Sequence, residues 1–189
     1  MSHERPADQQ GPDIYLLAMS WAPQHCCTKP HQCVAAPWAH AANHLTLHGL
    51  WPAHAQPAAA DADQRQLQQR TTHCKTAHAA ELLPSQLPRD AVDLAPAYTT
   101  WSVTEHRAEM SGLAHHEWRK HGSCSGLTPA AYFAEALRGM LACGDDRGTP
   151  PLLSRSVGGA VATDELRGNY PRRVAVRADR SCRLAEVTT

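Results

Sequence analysis

The sequence predicts a single α+β domain, built mainly from an antiparallel sheet packed with helices and stapled by disulfide bonds. Strand-like apolar or alternating runs are mixed irregularly with helical stretches, an order that does not fit a regular βαβ repeat. The chain has 189 residues, the size of one ordinary domain, and it carries seven cysteines. Because only 5% of the residues are aromatic, the core rests on Leu, Val and Ala, and we expect it to need covalent support.

Four runs predict strands, at residues 14–21, 45–48, 174–176 and 184–187. The first is a compact apolar run, and the others alternate. In the second, Leu45 and Leu47 are expected to face the core, so that His48 points away from it. Gly49 and Pro52 are expected to end this strand.

Three stretches predict helices, at residues 87–101 with a break near Pro96, at residues 115–121, and from residue 129 to near residue 144. Gly122 is expected just beyond the second helix, at C′. Thr128 and Pro129 read as the N-cap and the first position of the third. Residues 145–154 are expected to form a turn-rich link.

The ends of the chain and its charge narrow the class of protein. We expect residues 1–12 to be a disordered lead-in and residues 13–189 to form one domain. No signal peptide or membrane span is visible, but seven cysteines favour an oxidising compartment, so we expect a secreted or periplasmic protein.

The formal net charge of the chain is zero, so any affinity for a polyanion must come from a local cluster of positive charge. Thirteen histidines predict sensitivity to pH.

The first segment that carries chemistry is HGLWP, residues 48–52. A histidine at a strand end, followed at once by Gly49, can approach a ligand without steric obstruction. Trp51 offers a face on which a nucleic-acid base could stack, a contact that contributes about 1–3 kcal/mol. The alternative is that His48 is a structural histidine and Trp51 part of the core.

The second segment is HEWRKHGSC, residues 116–124. Its histidines are five apart, whereas the zinc-protease motif needs them four apart on one helical face. On an α-helical wheel, His116, Glu117, Lys120 and His121 share one side, and Trp118 lies opposite with Arg119, where it can anchor the helix. Two imidazoles, an ammonium and a carboxylate on one face suit a negatively charged phosphorus centre. The alternative is a solvated charged face.

Cleavage of an RNA phosphodiester without metal needs a base for the 2′-hydroxyl, an acid for the departing 5′-oxygen, and cations for the charge that grows on phosphorus. Histidine suits both proton transfers because its pKa lies near the working pH. Two histidines from distant segments, His48 and His121, could flank the phosphorus in line.

Both segments, in this order, resemble the two active-site signatures of the ribonuclease T2 family of acid endoribonucleases. The resemblance extends to the run IYLLAMSW, to Cys74 between the signatures and to YFAEAL after the second. It covers about residues 14–140 well and the C-terminal part weakly. It implies a metal-independent endoribonuclease that needs no cofactor, acts on RNA, has no membrane role and no obligate protein partner, and is a monomer.

The resemblance also implies residue roles. His121 would be the general base and His48 the general acid, with the reverse direction as the alternative. Glu117 and Lys120 would stabilise the phosphorane, and the substrate-binding residues would be His116 at the phosphate and Trp51 at the base. Two departures leave the base preference open: Leu113-Ala114 stands where members often carry Phe-Trp, and Ala53 replaces an acidic residue found in some members.

The same resemblance implies a disulfide between Cys74 and Cys124, and a short loop closed by Cys33 with Cys26 or Cys27. Cys143 could pair with Cys182. In the family, however, the cysteine matching Cys182 commonly pairs with one beyond the strand at residues 184–187. We therefore expect that this chain stops early and that its odd cysteine count reflects this.

Two other functions compete with the nuclease. One is a zinc-binding module built from the His and Cys residues around residues 26–40, although no paired C-x-x-C spacing supports it. The other is a non-catalytic RNA-binding protein of the same fold. The filled catalytic positions argue against the second alternative.

Overall fold

In the computed structural model, the chain forms a four-stranded antiparallel sheet with helices packed on one face, beside a separate two-stranded ribbon. The structure describes residues 12, 14–24, 40–53, 73–74, 81–89, 99–102, 107–110, 112–143, 148–170 and 174–189. The predicted α+β class is confirmed. The predicted lead-in at residues 1–12 lies outside the described residues except for Pro12.

The main sheet has the order β2-β1-β6-β5, formed by β1 (Ile14–Trp21), β2 (Leu45–Ala53), β5 (Ala175–Ala178) and β6 (Leu184–Thr188). The ribbon pairs β3 (Thr99–Ser102) with β4 (Arg107–Met110). The last strand of the chain thus inserts beside the first, so a C-terminal segment sits in the middle of the sheet next to β1.

A β-bulge in β2 decides which side chains share a face. The register pairs Met19 with Leu47 and Ala18 with Gly49, so His48 is the extra residue. In strictly alternating pleats His48 and Trp51 would face opposite sides, since they are three residues apart. The bulge shifts the alternation: Leu45, Leu47 and Leu50 all enter the main core, whereas Trp51 packs in a smaller cluster on the other face.

The predicted end of this strand was therefore wrong. β2 runs on through Gly49 and Pro52 to Ala53, because the bulge absorbs the irregularity while pairing with β1 continues. The predicted inward direction of Leu45 and Leu47 is confirmed, since both are fully buried.

The second signature lies on a helix that changes its winding. It begins as α1 (Gly112–Glu117) and continues without a break as a π-helical segment (Trp118–Gly122). The Ser123 N–H donates to the Trp118 carbonyl at 2.8 Å, which is the i→i+5 pattern of a π-helix. Gly122 ends this segment without a left-handed backbone. Its need for glycine comes from packing, because an added Cβ would overlap the Trp118 ring and meet Tyr132 at 3.0 Å.

Helix α2 (Pro129–Leu141) packs against the sheet and confirms the predicted start. The Thr128 hydroxyl accepts from the Ala131 N–H at 3.3 Å, and Pro129 occupies the first turn. The helix buries Tyr132, Phe133 and Met140 in the core. The Tyr132 hydroxyl also donates to the Leu50 carbonyl at 2.8 Å, which fixes the backbone of the HGLWP segment from below.

Two predicted regions differ from the structure. The helix predicted at residues 87–101 is wrong wherever the structure describes it, since residues 87–89 are not helical and Thr99–Ser102 is a strand, where a partner strand overrides local propensity. Two short helices, α3 (Pro151–Arg155) and α4 (Thr163–Gly168), occupy a region where a turn-rich link or no element was predicted. No helix within the described residues is long and apolar enough to cross a membrane.

The predicted Cys74–Cys124 disulfide is confirmed, with an S–S distance of 2.06 Å. Cys124 follows the π-helical segment, so the bond ties the chain between the two signatures to the end of the helix that carries the second signature. Cys26 and Cys33 lie outside the described residues. Cys143 and Cys182 are not joined to each other, and the Cys143 thiol donates to the Gly139 carbonyl at 3.3 Å.

Candidate active site

His48 stands at the bulge of β2, where its imidazole is held from two sides. Its Nδ1 lies 3.0 Å from Ser20 Oγ and 3.1 Å from Glu186 Oε2, and its Nε2 lies 3.5 Å from Glu117 Oε1. The side chain is 26% exposed, so one edge of the ring remains accessible. Burial lowers the pKa of His48, but the hydrogen bond to Glu186 and the charges of Glu117 and Glu186 outweigh it, and the net pKa is raised. The site therefore favours imidazolium at this position.

Glu117 is buried beneath His48 and is held by Trp51. The Trp51 Nε1–H donates to Glu117 Oε2 at 3.0 Å. Burial raises the pKa of Glu117, although His48, the Trp51 hydrogen bond and Lys120 oppose this shift. Gly49 makes the arrangement possible, because an added Cβ would overlap Glu117 Oε2 and meet Trp51 Nε1 at 2.8 Å. The glycine of the HGLWP segment thus serves the close approach of a carboxylate.

His121 reaches the same cluster from the π-helical segment. Its ring is almost fully buried and stacks on Trp51, with centroids 5.4 Å apart and planes inclined by 29°. His73, beside Cys74 of the disulfide, packs edge-on against His121 at 5.3 Å. Trp51 also contacts His48 edge-on at 5.7 Å. His48 of the first signature and His121 of the second therefore both contact the indole ring of Trp51.

Around this cluster, the helix carries a cationic surface. An open depression beside the disulfide is lined by Cys74, Gly112, His115, His116, Arg119 and Lys120. Burial, Lys120, His48 and His73 together lower the pKa of His116. The depression can therefore receive an anion on the helix that also carries Glu117 and His121.

The helical wheel predicted the position of Trp118 correctly and that of Arg119 incorrectly. Trp118 is buried against the core and contacts Tyr132 edge-on, as predicted. Arg119 was placed opposite His116 and Lys120, but it lines the same depression. The wheel assumed α-helical spacing throughout, whereas residues 118–122 are π-helical and turn less per residue.

The structure places Trp51 differently from its predicted use as an open stacking face. Its side chain is 9% exposed, and its contacts are with Glu117, His121, His48 and the apolar residues Leu16 and Ala18. In this arrangement the indole supports the titratable side chains, and a base would reach only its rim.

Sequence reasoning missed Ser20, His73 and Glu186. Ser20 and Glu186 lie on β1 and β6, far from both signatures in the chain. A glutamate inside the short, otherwise largely apolar strand LAEVT was the one available signal, since charged residues are rarely buried unless they are paired.

Within the described ranges, no three His, Cys, Asp or Glu side chains are grouped so that they could hold a metal ion. Of residues 26–40, on which the zinc hypothesis depends, all but His40 lie outside these ranges.

Two known ribonucleases are similar to this chain in sequence. A ribonuclease of Aeromonas hydrophila is 29% identical over 119 residues, which is 61% of this chain and 39% of the relative. Ribonuclease I of Escherichia coli K12 is 29% identical over 143 residues, 67% of this chain and 52% of the relative. The chain thus spans about half of these relatives' length, or less.

Among solved structures, a mutant of RNase MC1 of bitter gourd in complex with 5′-UMP has a TM-score of 0.56 at 18% identity, covering 95% of this chain and 87% of that one. This likeness supports the fold. The model of the ribonuclease T2 family matches residues 12–141, more than half of the chain and both signatures. The chain therefore belongs to the ribonuclease T2 family.

Proposed function

We propose that this protein is an endoribonuclease that cleaves single-stranded RNA by transphosphorylation with a histidine acid–base pair. The observation that carries the proposal is the meeting of His48 and His121, from two distant segments, around Trp51 and Glu117. Family membership and the ribonuclease relatives support the same reaction class. The alternatives, a zinc-binding module and a non-catalytic RNA-binding protein, become outcomes of the test below.

In the first step, His121 takes the proton of the 2′-hydroxyl, and the 2′-oxygen attacks phosphorus. The bond from phosphorus to the 5′-oxygen breaks, and that oxygen receives a proton from His48 Nε2, which leaves a 2′,3′-cyclic phosphate. In the second step a water molecule opens the cyclic ester to a 3′-phosphate, with the two histidines in exchanged roles. The raised pKa of His48 supports the direction in which His48 starts as the acid.

The charge on the pentacoordinate phosphorus needs stabilisation. Lys120 supplies positive charge at the open depression, and His116 beside it can donate a hydrogen bond to the phosphate. Glu117 lies 3.5 Å from His48 Nε2, so its carboxylate can hold the imidazolium beside the phosphorane and contribute to stabilising it in that way. We assign Trp51 a positioning role, because its indole holds both Glu117 and His121.

RNA is the substrate because the attacking group is the 2′-hydroxyl, and DNA, which lacks it, would bind without reacting. The RNase MC1 complex with 5′-UMP supports nucleotide binding by this fold. The Cys74–Cys124 disulfide supports a secreted or periplasmic location, where such bonds persist. We further propose that the enzyme needs no metal, since base, acid and cations are all protein side chains.

The test is digestion of a short RNA in EDTA at about pH 5 and about pH 7, with the products identified by mass spectrometry. We expect 2′,3′-cyclic phosphate ends that disappear in both His48→Ala and His121→Ala. His44→Ala is the matched control, since His44 stacks on His40 away from the site. Cleavage that returns only when zinc is added would support the metal alternative. RNA binding without cleavage under any condition would support the alternative of a non-catalytic RNA-binding protein.

A further inference from the structure

We infer that Glu186, together with Ser20, is a positioning residue that fixes the tautomer and orientation of His48 and makes Nε2 the nitrogen that exchanges protons. This inference rests on the proposed function. Glu186 belongs to β6, which lies outside the residues matched by the family model.

The register of the main sheet places Ser20, Glu186 and Arg177 side by side. Ser20 on β1 pairs directly with Glu186 on β6, and Glu186 pairs with Arg177 on β5. These three side chains form one row across the sheet, and the bulge at His48 turns its imidazole onto the end of that row. The two residues that contact His48, Ser20 and Glu186, lie on strands paired on both sides, whereas Arg177 lies on the edge strand β5.

The contact with the Glu186 carboxylate determines the tautomer of His48. A carboxylate can only accept a hydrogen bond, so the 3.1 Å contact requires a proton on His48 Nδ1. With Nδ1 protonated, the neutral ring presents Nε2 as its acceptor, and the imidazolium carries its second proton there. Nε2 is also the nitrogen that faces Glu117, on the side of the site. Without Glu186, the other tautomer would place the basic nitrogen toward the sheet.

The burial of Glu186 indicates that this contact matters. The side chain is only 2% exposed, and Arg177 reaches its Oε2 at 3.3 Å. A carboxylate so deeply placed is costly unless it is paired. Burial raises the pKa of Glu186, but the hydrogen bond to His48 and the charge of Arg177 outweigh this, so its pKa is lowered and the group is held as an anion.

Four charged or titratable groups act on His48 from the elements around it. Glu186 on β6 and Glu117 on α1 favour the imidazolium, and Arg177 on β5 opposes it. His116 on α1 faces the same space and is itself affected by His48. Variants of Glu186 and Arg177 should therefore shift the titration of His48 in opposite directions.

The experiment combines activity with nitrogen-15 NMR of the His48 ring in the full chain. Glu186→Gln keeps a hydrogen-bond acceptor but removes the charge, so we expect the basic limb of kcat/KM to move to lower pH. Glu186→Ala removes both, so we expect the neutral ring to shift toward the Nε2–H tautomer and kcat to fall about tenfold, with KM little changed. Arg177→Gln should move the basic limb to higher pH. Glu165→Gln, an exposed carboxylate on α4, is the control.

An unchanged tautomer in Glu186→Ala, or an unchanged basic limb in Glu186→Gln, would overturn the inference. If the Glu186 variants fail to fold, Arg177→Gln still decides, since a basic limb that stays in place or moves to lower pH contradicts it. The NMR readout separates this inference from the proposed function. A chain that cuts no RNA but shows the expected tautomer change would refute the nuclease and keep the role of Glu186.

Discussion

The indole nitrogen of Trp51 donates to Glu117 Oε2 across 3.0 Å, and this hydrogen bond joins the first signature to the second. Both partners are buried, so neither can exchange the contact for water. The same indole stacks on His121. One side chain of β2 thereby sets the position of two groups on the catalytic helix.

Replacing Trp51 with Phe tests this relationship. The ring stack would remain in large part, but Glu117 would lose its donor, and an unsatisfied buried acceptor costs about 1–3 kcal/mol. We expect kcat to fall about tenfold, since about 1.4 kcal/mol corresponds to tenfold, with a parallel loss in the free energy of unfolding. Steady-state kinetics on a dinucleotide and urea unfolding measure both. Trp21→Phe, in the core away from the site, should lower stability and leave the pH profile of activity unchanged.

Gly49→Ala should damage the site more than the fold. The added methyl group would overlap Glu117 Oε2, so the carboxylate and the helix that carries it must move. Small misplacements of reacting groups can cost about 100-fold, and we expect a loss of about that size in kcat. Gly168→Ala is the matched control, because an added Cβ there meets nothing within 4 Å. Equal activity in the two variants would mean that the close approach at Gly49 is unimportant.

Activity should be bell-shaped in pH, because one imidazole must be neutral and the other protonated. Since the pKa of His48 is raised, protonated His48 persists above the ordinary imidazole range, and the basic limb should lie above that range. The check is kcat/KM from about pH 4 to about pH 9 in EDTA. A rate that rises steadily to the upper end would contradict the histidine pair.

The pH dependence of the free energy of unfolding should follow the protonation of His48. The folded pKa of His48 is above its unfolded value, so the contribution to stability is fully present below about pH 6.5, the unfolded value. It is lost as the pH rises through the folded pKa. We therefore expect His48→Gln to lower the free energy of unfolding more in acid than in mildly alkaline urea titrations. An equal loss at both pH values would show that the charge interactions with Glu186 and Glu117 are weak.

The Cys74–Cys124 disulfide should contribute to stability and to the position of the catalytic helix. It closes a separation of 50 residues, and loss of such a bond typically costs about 2–5 kcal/mol. We expect Cys74→Ser with Cys124→Ser to lower the free energy of unfolding by about that amount. Cys182→Ser is the control, since Cys182 is exposed and outside this bond. Unchanged unfolding of the double variant would contradict a stabilising role.

Several secondary-structure elements could be predicted from the sequence. The strand at Ile14–Trp21 and the start of α2 at Thr128 and Pro129 follow from local patterns, since an apolar run and a capping residue act within a few positions. The roles of the signature residues remain predictions, although the structure brings His48, Glu117, Trp51 and His121 together. The strand at Thr99–Ser102 was missed because it depends on a partner strand.

By itself, the sequence determined the fold class and the residues of the two signatures, and its resemblance to the ribonuclease T2 family implied the Cys74–Cys124 bond. Only the tertiary structure decided that a bulge puts His48 and Trp51 on one face, that a π-helical segment carries His121, and that Glu186 and Ser20 hold His48. The physical reason is the distance along the chain over which each effect acts. Capping and hydrophobic periodicity act between neighbours in the chain, whereas the bulge depends on the register between β1 and β2, and the buried Glu186 pairs with a histidine far away in the chain.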